Sequence, residues 1–398
     1  MKNEEIKVIL FLGDTELGDI NKLAKNRKLH EILKSETETA KADEYSFSIN
    51  WKQFQDFIRR NFDEDPASFL KVGKTRVVMT VDGGRPRFSG FLSSRPARQG
   101  IGSEQTLDLV FWEHFARLSG DLICARNNKM SPIRKFNNRP AHLYTQDLIN
   151  EFTNRARLAG ETLNWNWGQI DSLANKTFEY KDFQTVSKAL CDAMNNVQGA
   201  GKFDVVFRVD KDDYTHHFID ILKPRGSNKE IIIQYPSDGV YKLWSSNYQV
   251  PETNDYASEI LVSGSGQVGE SASSGNTAKL ANEANNDFVQ EYCYWRVYSS
   301  QSNLESQAAV SNYAKTELAQ KAFNKETPKI SLEGRPIAWG DAKDENNGLA
   351  LGDTFYFKEM NNDTTNQSGF YRIIEMDTSW DDNGVATVDP VLMPSVEV

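Results

Sequence analysis

A glycine-rich motif is the first feature of this chain that could bind a cofactor. Gly264, Gly266 and Gly269 directly follow a predicted strand, with the GxGxxG spacing that lets a backbone approach a dinucleotide pyrophosphate. Such a site also needs a helix directly after the glycines and a second strand carrying an acidic residue roughly 20 positions on. Residues 267–287 offer almost no apolar residues for that strand. We therefore expect a surface loop here and no bound cofactor.

The histidines do not form a metal-binding pattern. His216 and His217 are adjacent on a predicted strand, where neighbouring side chains point to opposite faces, so the two cannot share a metal ion. His114 lies in an apolar segment with helical spacing, which predicts a packed, hydrogen-bonded side chain. We expect no metal site.

The cysteines indicate structural thiols. There are three of them at wide spacings, which fits neither a disulfide framework nor a zinc site.

The sequence contains none of the HExxH, GxSxG or GxxxxGK[ST] motifs, and we expect no enzyme and no catalytic residue. Two alternatives stay open: a carbohydrate-active enzyme of the cell envelope and a glycan-binding adhesin. Trp165 and Trp167, two of eight tryptophans, could form a sugar-stacking platform for either, although core packing is the commoner use of tryptophan.

A cluster of arginines is the strongest candidate for a binding surface. Arg85, Arg87, Arg95 and Arg98 surround a Ser-Gly-Phe segment at residues 89–91. The cluster is either a solvated loop, a surface facing an acidic partner or a lumen, or a weak electrostatic contact with passing nucleic acid. The whole chain, with 46 basic and 56 acidic residues, is too acidic for a duplex-binding protein.

The elements that position these residues occur twice. Residues 70–75 and 349–354 are similar, and Gly73 precedes Gly90 by the same 17 positions by which Gly352 precedes Gly369 (90 − 73 and 369 − 352). A third similar segment follows at residues 106–110 and 387–391. This order predicts two copies of one small β-domain, with these four glycines as structural turns.

The fold class predicted from these patterns is α+β and mainly β, with two similar small β-barrel-like tube domains and helix-containing insertions. Residues 145–160, 183–197 and 302–323 show the apolar spacing of helices. The predicted boundaries are 1–122 for the first β-domain, 123–202 for a helix-containing domain, 203–262 and 326–398 for the two parts of the second β-domain, and 263–325 for a flexible loop and helical insertion.

Nothing in the sequence predicts a membrane segment. No stretch approaches the roughly 20 apolar residues of a spanning helix, and the apolar run at residues 8–12 is shorter than a signal-peptide core. We expect a soluble chain that folds in a reducing compartment.

Several weak motifs follow one another in a fixed order over nearly the whole chain. These are residues 72–74 with 88–91, the strand at 105–110, residues 258–264, and a helix at 302–323 that leads into 351–354 and 371–373. In the order of these motifs the chain resembles the baseplate hub, or tail-associated, proteins of siphophages that infect lactococci and other Gram-positive bacteria.

The resemblance implies a trimer that closes the end of the tail tube. Such a trimer would dock on a hexameric distal tail protein, contact other baseplate proteins and open for DNA passage. It would be made in the host cytoplasm and reside in the virion. Relatives that degrade the cell wall carry a long C-terminal extension, whereas this sequence ends at Val398, so we expect a purely structural hub. No catalytic residue carries over from the resemblance.

Overall fold

A computed structural model describes most of the chain. The described residues are 5–36, 41–62, 65–94, 96–99, 105–123, 134–161, 163–180, 184–195, 202–235, 242–249, 257–265, 279–284, 296–301, 306–322, 327–333, 349–359 and 368–395.

The described elements are mainly strands. In the first third they are β1 (Ile6–Leu12), β2 (Thr15–Asp19), β3 (Ala24–Ile32), β4 (Glu44–Asn50), α1 (Trp51–Phe62), β5 (Thr75–Val81), β6 (Arg85–Leu92), β7 (Ala97–Gln99) and β8 (Thr106–Glu113). There follow β9 (Arg134–Pro140), α2 (Ala141–Leu158), β10 (Trp165–Ile170), β11 (Asn175–Tyr180), α3 (Val186–Asn195), β12 (Asp204–Val209) and β13 (His217–Leu222). The last are β14 (Asn228–Tyr235), β15 (Lys242–Gln249), β16 (Glu259–Ser263), β17 (Leu280–Ala284), β18 (Arg296–Ser300), α4 (Gln307–Ala322), β19 (Thr327–Glu333), β20 (Thr354–Glu359), β21 (Gly369–Trp380) and β22 (Ala386–Pro394). The predicted mainly-β class with helix-containing insertions is confirmed.

Local sequence explains the first unit. In β4, Tyr45, Phe47 and Ile49 are buried and alternate with half-buried polar residues, as expected for a strand with one face on a core. The helix α1, which the sequence patterns did not predict, begins where the Asn50 side chain accepts a hydrogen bond from the Gln53 backbone N–H at 3.1 Å. An Asp-Gly turn, which favours a tight hairpin, joins β5 to β6, with Asp82 in a left-handed conformation.

The two ends of the chain share one strand order. In the first unit the neighbours run β3–β4–β8–β6–β5, and in the second they run β15–β19–β22–β21–β20, each pair antiparallel. The third repeated segment is also in register. Thr106 pairs with the last residue of β4 and Thr387 with the last residue of β19. The repeat in sequence therefore corresponds to a repeat in strand order.

The two units are joined edge to edge. β3 of the first unit pairs antiparallel with residues 375–380 of β21 in the second, which we call the seam. The described strands of both units form one 14-stranded sheet. One hydrophobic core lies under both, with Phe47 and Leu109 from the first unit and Tyr371 and Leu392 from the second. The units therefore share a core and do not fold around two separate ones.

The intervening segments form two further cores. α2, α3 and the sheet β10–β13–β12 enclose the second core, which includes Phe115 and Leu118 from a short 3-10 helix at His114–Gly120. α4 packs on the sheet β17–β16–β18 around a third core. No helix in the described ranges is long and apolar enough to cross a membrane.

Two predicted boundaries differ from this arrangement. β12 and β13 were assigned to the second β-domain, but they pair with β10 and line the helix-containing core, because Val205 and Ile221 face α3 and its neighbours there. β16 was assigned to the same β-domain but pairs with β17 and β18. Of the strands described within residues 203–262, β14 and β15 join the large sheet. The apolar segment with helical spacing around His114 forms a short 3-10 helix that begins at His114, since Phe111 is still in β8.

Candidate functional site

Two of the four repeated glycines lie in turns that require glycine. Gly73 has φ +75° and Gly352 has φ +87°, a left-handed conformation that other residues adopt at a cost. The N–H of Gly73 donates to the Leu92 carbonyl at 2.9 Å, and the N–H of Gly352 donates to the Ile373 carbonyl at 2.8 Å. Each turn thus fixes the start of a strand against the strand that follows it.

The other two glycines lie in strands, contrary to the prediction of turns. Gly90 is inside β6, where a Cβ atom would lie 2.5 Å from the Trp112 carbonyl oxygen, so close backbone approach explains this glycine. Gly369 is the first residue of β21.

The equal spacing of the glycines does not mark equivalent positions. Gly90 pairs with Val77, four residues after Gly73, whereas Gly369 pairs with Phe357, five residues after Gly352. The strand register of the two copies therefore differs by one residue at these glycines, although their strand order is the same.

The structure separates the arginine cluster. Arg87 forms an ion pair with Glu31 of β3, and the two side chains are 16% and 7% exposed. Burial raises the pKa of the Glu31 carboxyl, and the Arg87 guanidinium opposes that rise. Arg87 therefore ties β6 to β3 inside the first unit and does not belong to a free basic surface. Arg85 lies at the start of β6, 4.0 Å from Asp82. Arg98 lies in β7 opposite Leu107, and Arg95 lies outside the described residues.

A polar face, which the sequence patterns did not predict, crosses the seam. One row of register partners, which we call a rung, crosses five neighbouring strands of the sheet. It consists of Asp389 in β22, Asp377 in β21, His30 in β3, Glu44 in β4 and Trp112 in β8. His30 Nδ1 lies 2.7 Å from Asp377 Oδ1, and this contact is the main reason that the pKa of His30 is raised. Trp112 Nε1 donates to Glu44 Oε2 at 3.1 Å. The alternation of each strand puts the opposite face on the shared core.

The neighbouring rungs continue this polar face, which consists of Lys28, His30, Glu44, Ser46, Ser48, Asp108, Trp112, Asp377, Ser379 and Asp389. Four of these residues are acidic and one is a lysine, so the face is polar and slightly acidic. It is made jointly by both β units.

A charge cluster connects the helix-containing domain to both β units. Glu36, whose side chain is 4% exposed, accepts from Arg372 Nη1 of β21 at 2.7 Å and forms an ion pair with Lys202. Arg372 also donates to the carbonyls of Gly352 and Arg225, both at 3.1 Å. Because Glu36 follows β3 and Lys202 precedes β12, the cluster fixes three segments against one another.

Two histidines meet where the first β unit contacts the helix-containing domain. The His114 and His217 ring centroids are 4.1 Å apart. His217 Nε2 lies 2.9 Å from Ser89 Oγ of β6, whereas neither ring nitrogen of His114 has a hydrogen-bond partner among the described residues, contrary to the prediction. Burial is the main cause that lowers the pKa of His114 well below its usual value and that of His217 to about 3. His216 is exposed beside Asp213, so the adjacent histidines do point apart.

The other residues considered for chemistry are part of the cores or lie outside the described ranges. Cys191 is buried, and burial raises the pKa of its thiol to about 12. Trp165 packs on Phe152 and Phe207, with ring-centroid distances of 5.6 and 5.0 Å. Its indole is therefore part of the packing around the second core. Of the GxGxxG motif only Gly264 is described. Within the described ranges no three His, Cys, Asp or Glu side chains are grouped so as to hold a metal ion.

Comparison with known proteins gives matches in structure only. No protein-family model and no curated protein sequence matches this chain. The 43 kDa tail protein of prophage MuSo2 from Shewanella oneidensis is similar over 98% of both chains, with 12% identity and a TM-score of 0.62. A tail protein from Neisseria meningitidis is similar over 98% of this chain and 96% of that one, with 10% identity and a TM-score of 0.62. Prophage tail protein gp18 from Listeria monocytogenes covers 96% of this chain and 94% of its own, with 10% identity and a TM-score of 0.54. Over nearly its whole length, this chain therefore has the fold of these three tail proteins, two of them from prophages.

Proposed function

We propose that this protein is a structural component of a phage tail tip, where three chains form the baseplate hub that closes the tail tube. The observation that carries the proposal is the repeated β unit joined edge to edge in one sheet. The fold, shared with three tail proteins of which two are from prophages, supports a role in a tail.

The seam explains how a ring can form. It joins one edge of the first unit to a different edge of the second, which makes it a head-to-tail contact, and repetition of such a contact produces a closed ring when the rotation per unit allows it. Three chains would contribute six β units. A ring of six similar units presents the symmetry that a hexameric distal tail protein needs for docking, as the resemblance to hub proteins implies.

We assign the channel side of this ring to the polar face. The face is continuous across both units and slightly acidic, so it offers no basic surface to which DNA would adhere during passage. Arg85 remains a candidate for contacts with other baseplate proteins, whereas Arg87 is held by Glu31.

Light scattering after size exclusion tests the proposal. We expect a mass of about 135 kDa, three times the 45.1 kDa of one chain. Negative-stain images of the same sample are expected to show a three-fold ring with a central opening. A mass of 45.1 kDa at every concentration tested would contradict the ring.

A further inference from the structure

The first unit contains a strand, β7, that corresponds to the β21 side of the seam but has no equivalent of β3 beside it among the described strands. Residues 375–380 of β21 have β22 on one side and β3 on the other. At its centre, Asp377 lies between Asp389 and His30, and Thr378 lies between Val388 and Leu29. The seam is therefore formed by the second half of β21 and by β3.

β7 is the equivalent of that half of β21. Ala97 pairs with Asp108 and Arg98 with Leu107, just as Asp377 pairs with Asp389 and Thr378 with Val388. Since Leu107 and Val388 occupy the same rung of the repeated sheet, Arg98 corresponds to Thr378 and Ala97 to Asp377. Among the described strands, β7 pairs with β8 only.

β15 is the equivalent of β3. His30 pairs with Glu44, five residues before Ile49 of β4, and Gln249 pairs with Thr327, five residues before Leu332 of β19. Ile49 and Leu332 face the same rung, so Gln249 corresponds to His30. Both strands also contain a register shift near their first residues. Among the described strands, β15 pairs with β19 only.

We propose that β15 of one subunit pairs antiparallel with β7 of the next and so repeats the seam between chains. The register carried over from the seam sets Ala97 opposite Gln249 of the partner subunit, Arg98 opposite Tyr248 of the partner subunit, and Gln99 opposite Asn247 of the partner subunit. The occupant of the open edge at β7 is therefore a second copy of this chain. This inference rests on the ring under the proposed function and adds the strands and the register that close it.

The chemistry of the two strands fits this partner. Within the described part of the chain each has a strand partner on one side only, and backbone N–H and C=O groups on the other side of a strand can pair with another strand. Their sequences, ARQ and KLWSSNYQ, contain no acidic residue, and their one arginine and one lysine lie at different rungs, so no like charges face each other. Ala97, Gln99, Asn247 and Gln249 take the register positions of Asp377, Ser379, Lys28 and His30.

Disulfide trapping in the full chain tests the register. In a background with Cys124→Ser and Cys293→Ser, we pair Ala97→Cys with Gln249→Cys and oxidise the purified protein. Opposite residues of antiparallel strands have Cα atoms about 4.5–5.5 Å apart, within the range of a disulfide. We expect covalent dimers and a closed covalent trimer near 135 kDa, with no larger species, on a non-reducing gel, and single chains after reduction.

Two control pairs make the result specific. The first control combines Arg98→Cys with Gln249→Cys, which shifts one cysteine by one residue relative to the Ala97/Gln249 pair. Because neighbouring residues of a strand point to opposite faces, we expect at least a tenfold lower yield of cross-linked chains. His30→Cys with Asp377→Cys crosses the seam inside one chain and should form a disulfide without increasing the mass.

The outcomes separate this inference from the ring itself. A trimeric wild type whose Ala97/Gln249 pair fails to cross-link, while the seam control forms its disulfide, overturns the β7–β15 contact and leaves the ring in place. Equal cross-linking of both intersubunit pairs overturns the register. A ladder that extends beyond three chains overturns closure at three, and a monomeric wild type that does not cross-link overturns both the contact and the ring.

Discussion

At the scale of residues, the imidazoles of His114 and His217 are buried side by side, and burial disfavours protonation of both. His114 packs between His217, Phe91 and Trp165, and its ring nitrogens find no hydrogen-bond partner among the described residues. Arg76 and Arg117 lie near enough to disfavour protonation further, and exposed His216 acts on His217 in the same direction. Both histidines are therefore neutral in the folded protein at neutral pH.

We predict that this pair makes the protein less stable in mild acid. The pKa of His217 is about 3 in the folded state against an ordinary 6.5, so between these values the unfolded state binds more protons and stability falls as the pH falls. At pH 5 the loss from His217 is about 2 kcal/mol. Urea unfolding at pH 7.5 and pH 5 measures it. His217→Gln should reduce that difference by about 2 kcal/mol and leave the part that comes from His114, whereas the control His216→Gln should keep it. The same pH dependence in wild type and His217→Gln would contradict the prediction.

The two turn glycines provide a second prediction at this scale. Both have positive φ, but a Cβ on Gly73 meets no atom within 4 Å, whereas a Cβ on Gly352 would overlap the Arg225 carbonyl. We expect Gly73→Ala to cost about 1–2 kcal/mol from backbone conformation alone. Gly352→Ala should cost more than about 3 kcal/mol, because the loop at Arg225 must also move. Denaturant unfolding of both variants checks this order, and a larger loss in Gly73→Ala would contradict it.

At the scale of elements, long-range charges decide how the helix-containing domain is held. Glu36 binds Arg372 and Lys202, residues that come from β21 and from the segment before β12. A second buried ion pair lies at the same contact, with Lys34 Nζ 2.7 Å from Glu113 Oε2 and both side chains 5% exposed. Glu113 Oε1 also accepts a hydrogen bond from the Phe207 N–H of β12 at 3.2 Å, which links this pair to the helix-containing domain. Alternation and helical spacing predicted the elements, but neither pattern contains information on these partners.

We predict that Glu36→Gln destabilises the protein by about 3–5 kcal/mol, because it leaves two cations near a buried position without their carboxylate. Asp377→Asn is the matched control. It removes the half-exposed ion pair with His30, for which we expect a loss of at most about 1 kcal/mol. Chemical denaturation at pH 7 and moderate salt compares the two variants. Equal losses would show that the Glu36 cluster does not hold the domains together.

At the scale of the whole molecule, the shared core makes the two β units one folding unit. Tyr45 and Leu109 of the first unit and Met376 and Val388 of the second belong to the same core, and β3 pairs with β21 along the seam. α4 packs around a separate small core.

This arrangement predicts that the two ends of the chain unfold together. In native-state hydrogen exchange, the amides of β4 and β22 should open with the same free energy within about 1 kcal/mol, and with the same dependence on denaturant. The amides of α4 should open at a lower free energy, since fewer apolar residues hold this helix. Mass spectrometry of peptides from each element measures these values, and independent opening of β4 and β22 would contradict a shared core.

The sequence by itself determined the mainly-β class, the repeated order of similar segments at the two ends, and the buried face of an alternating strand such as β4. These follow from local periodicity and from turn chemistry, which residues close in sequence express together. The tertiary structure decided the rest. A single shifted rung made Gly90 and Gly369 non-equivalent, and Arg87 left the predicted basic surface because Glu31, 56 positions away, lies beside it. The seam pairs His30 with a residue 347 positions distant. The alternation of a strand specifies which face is buried but not which strand lies at its edge, because every edge offers the same backbone donors and acceptors.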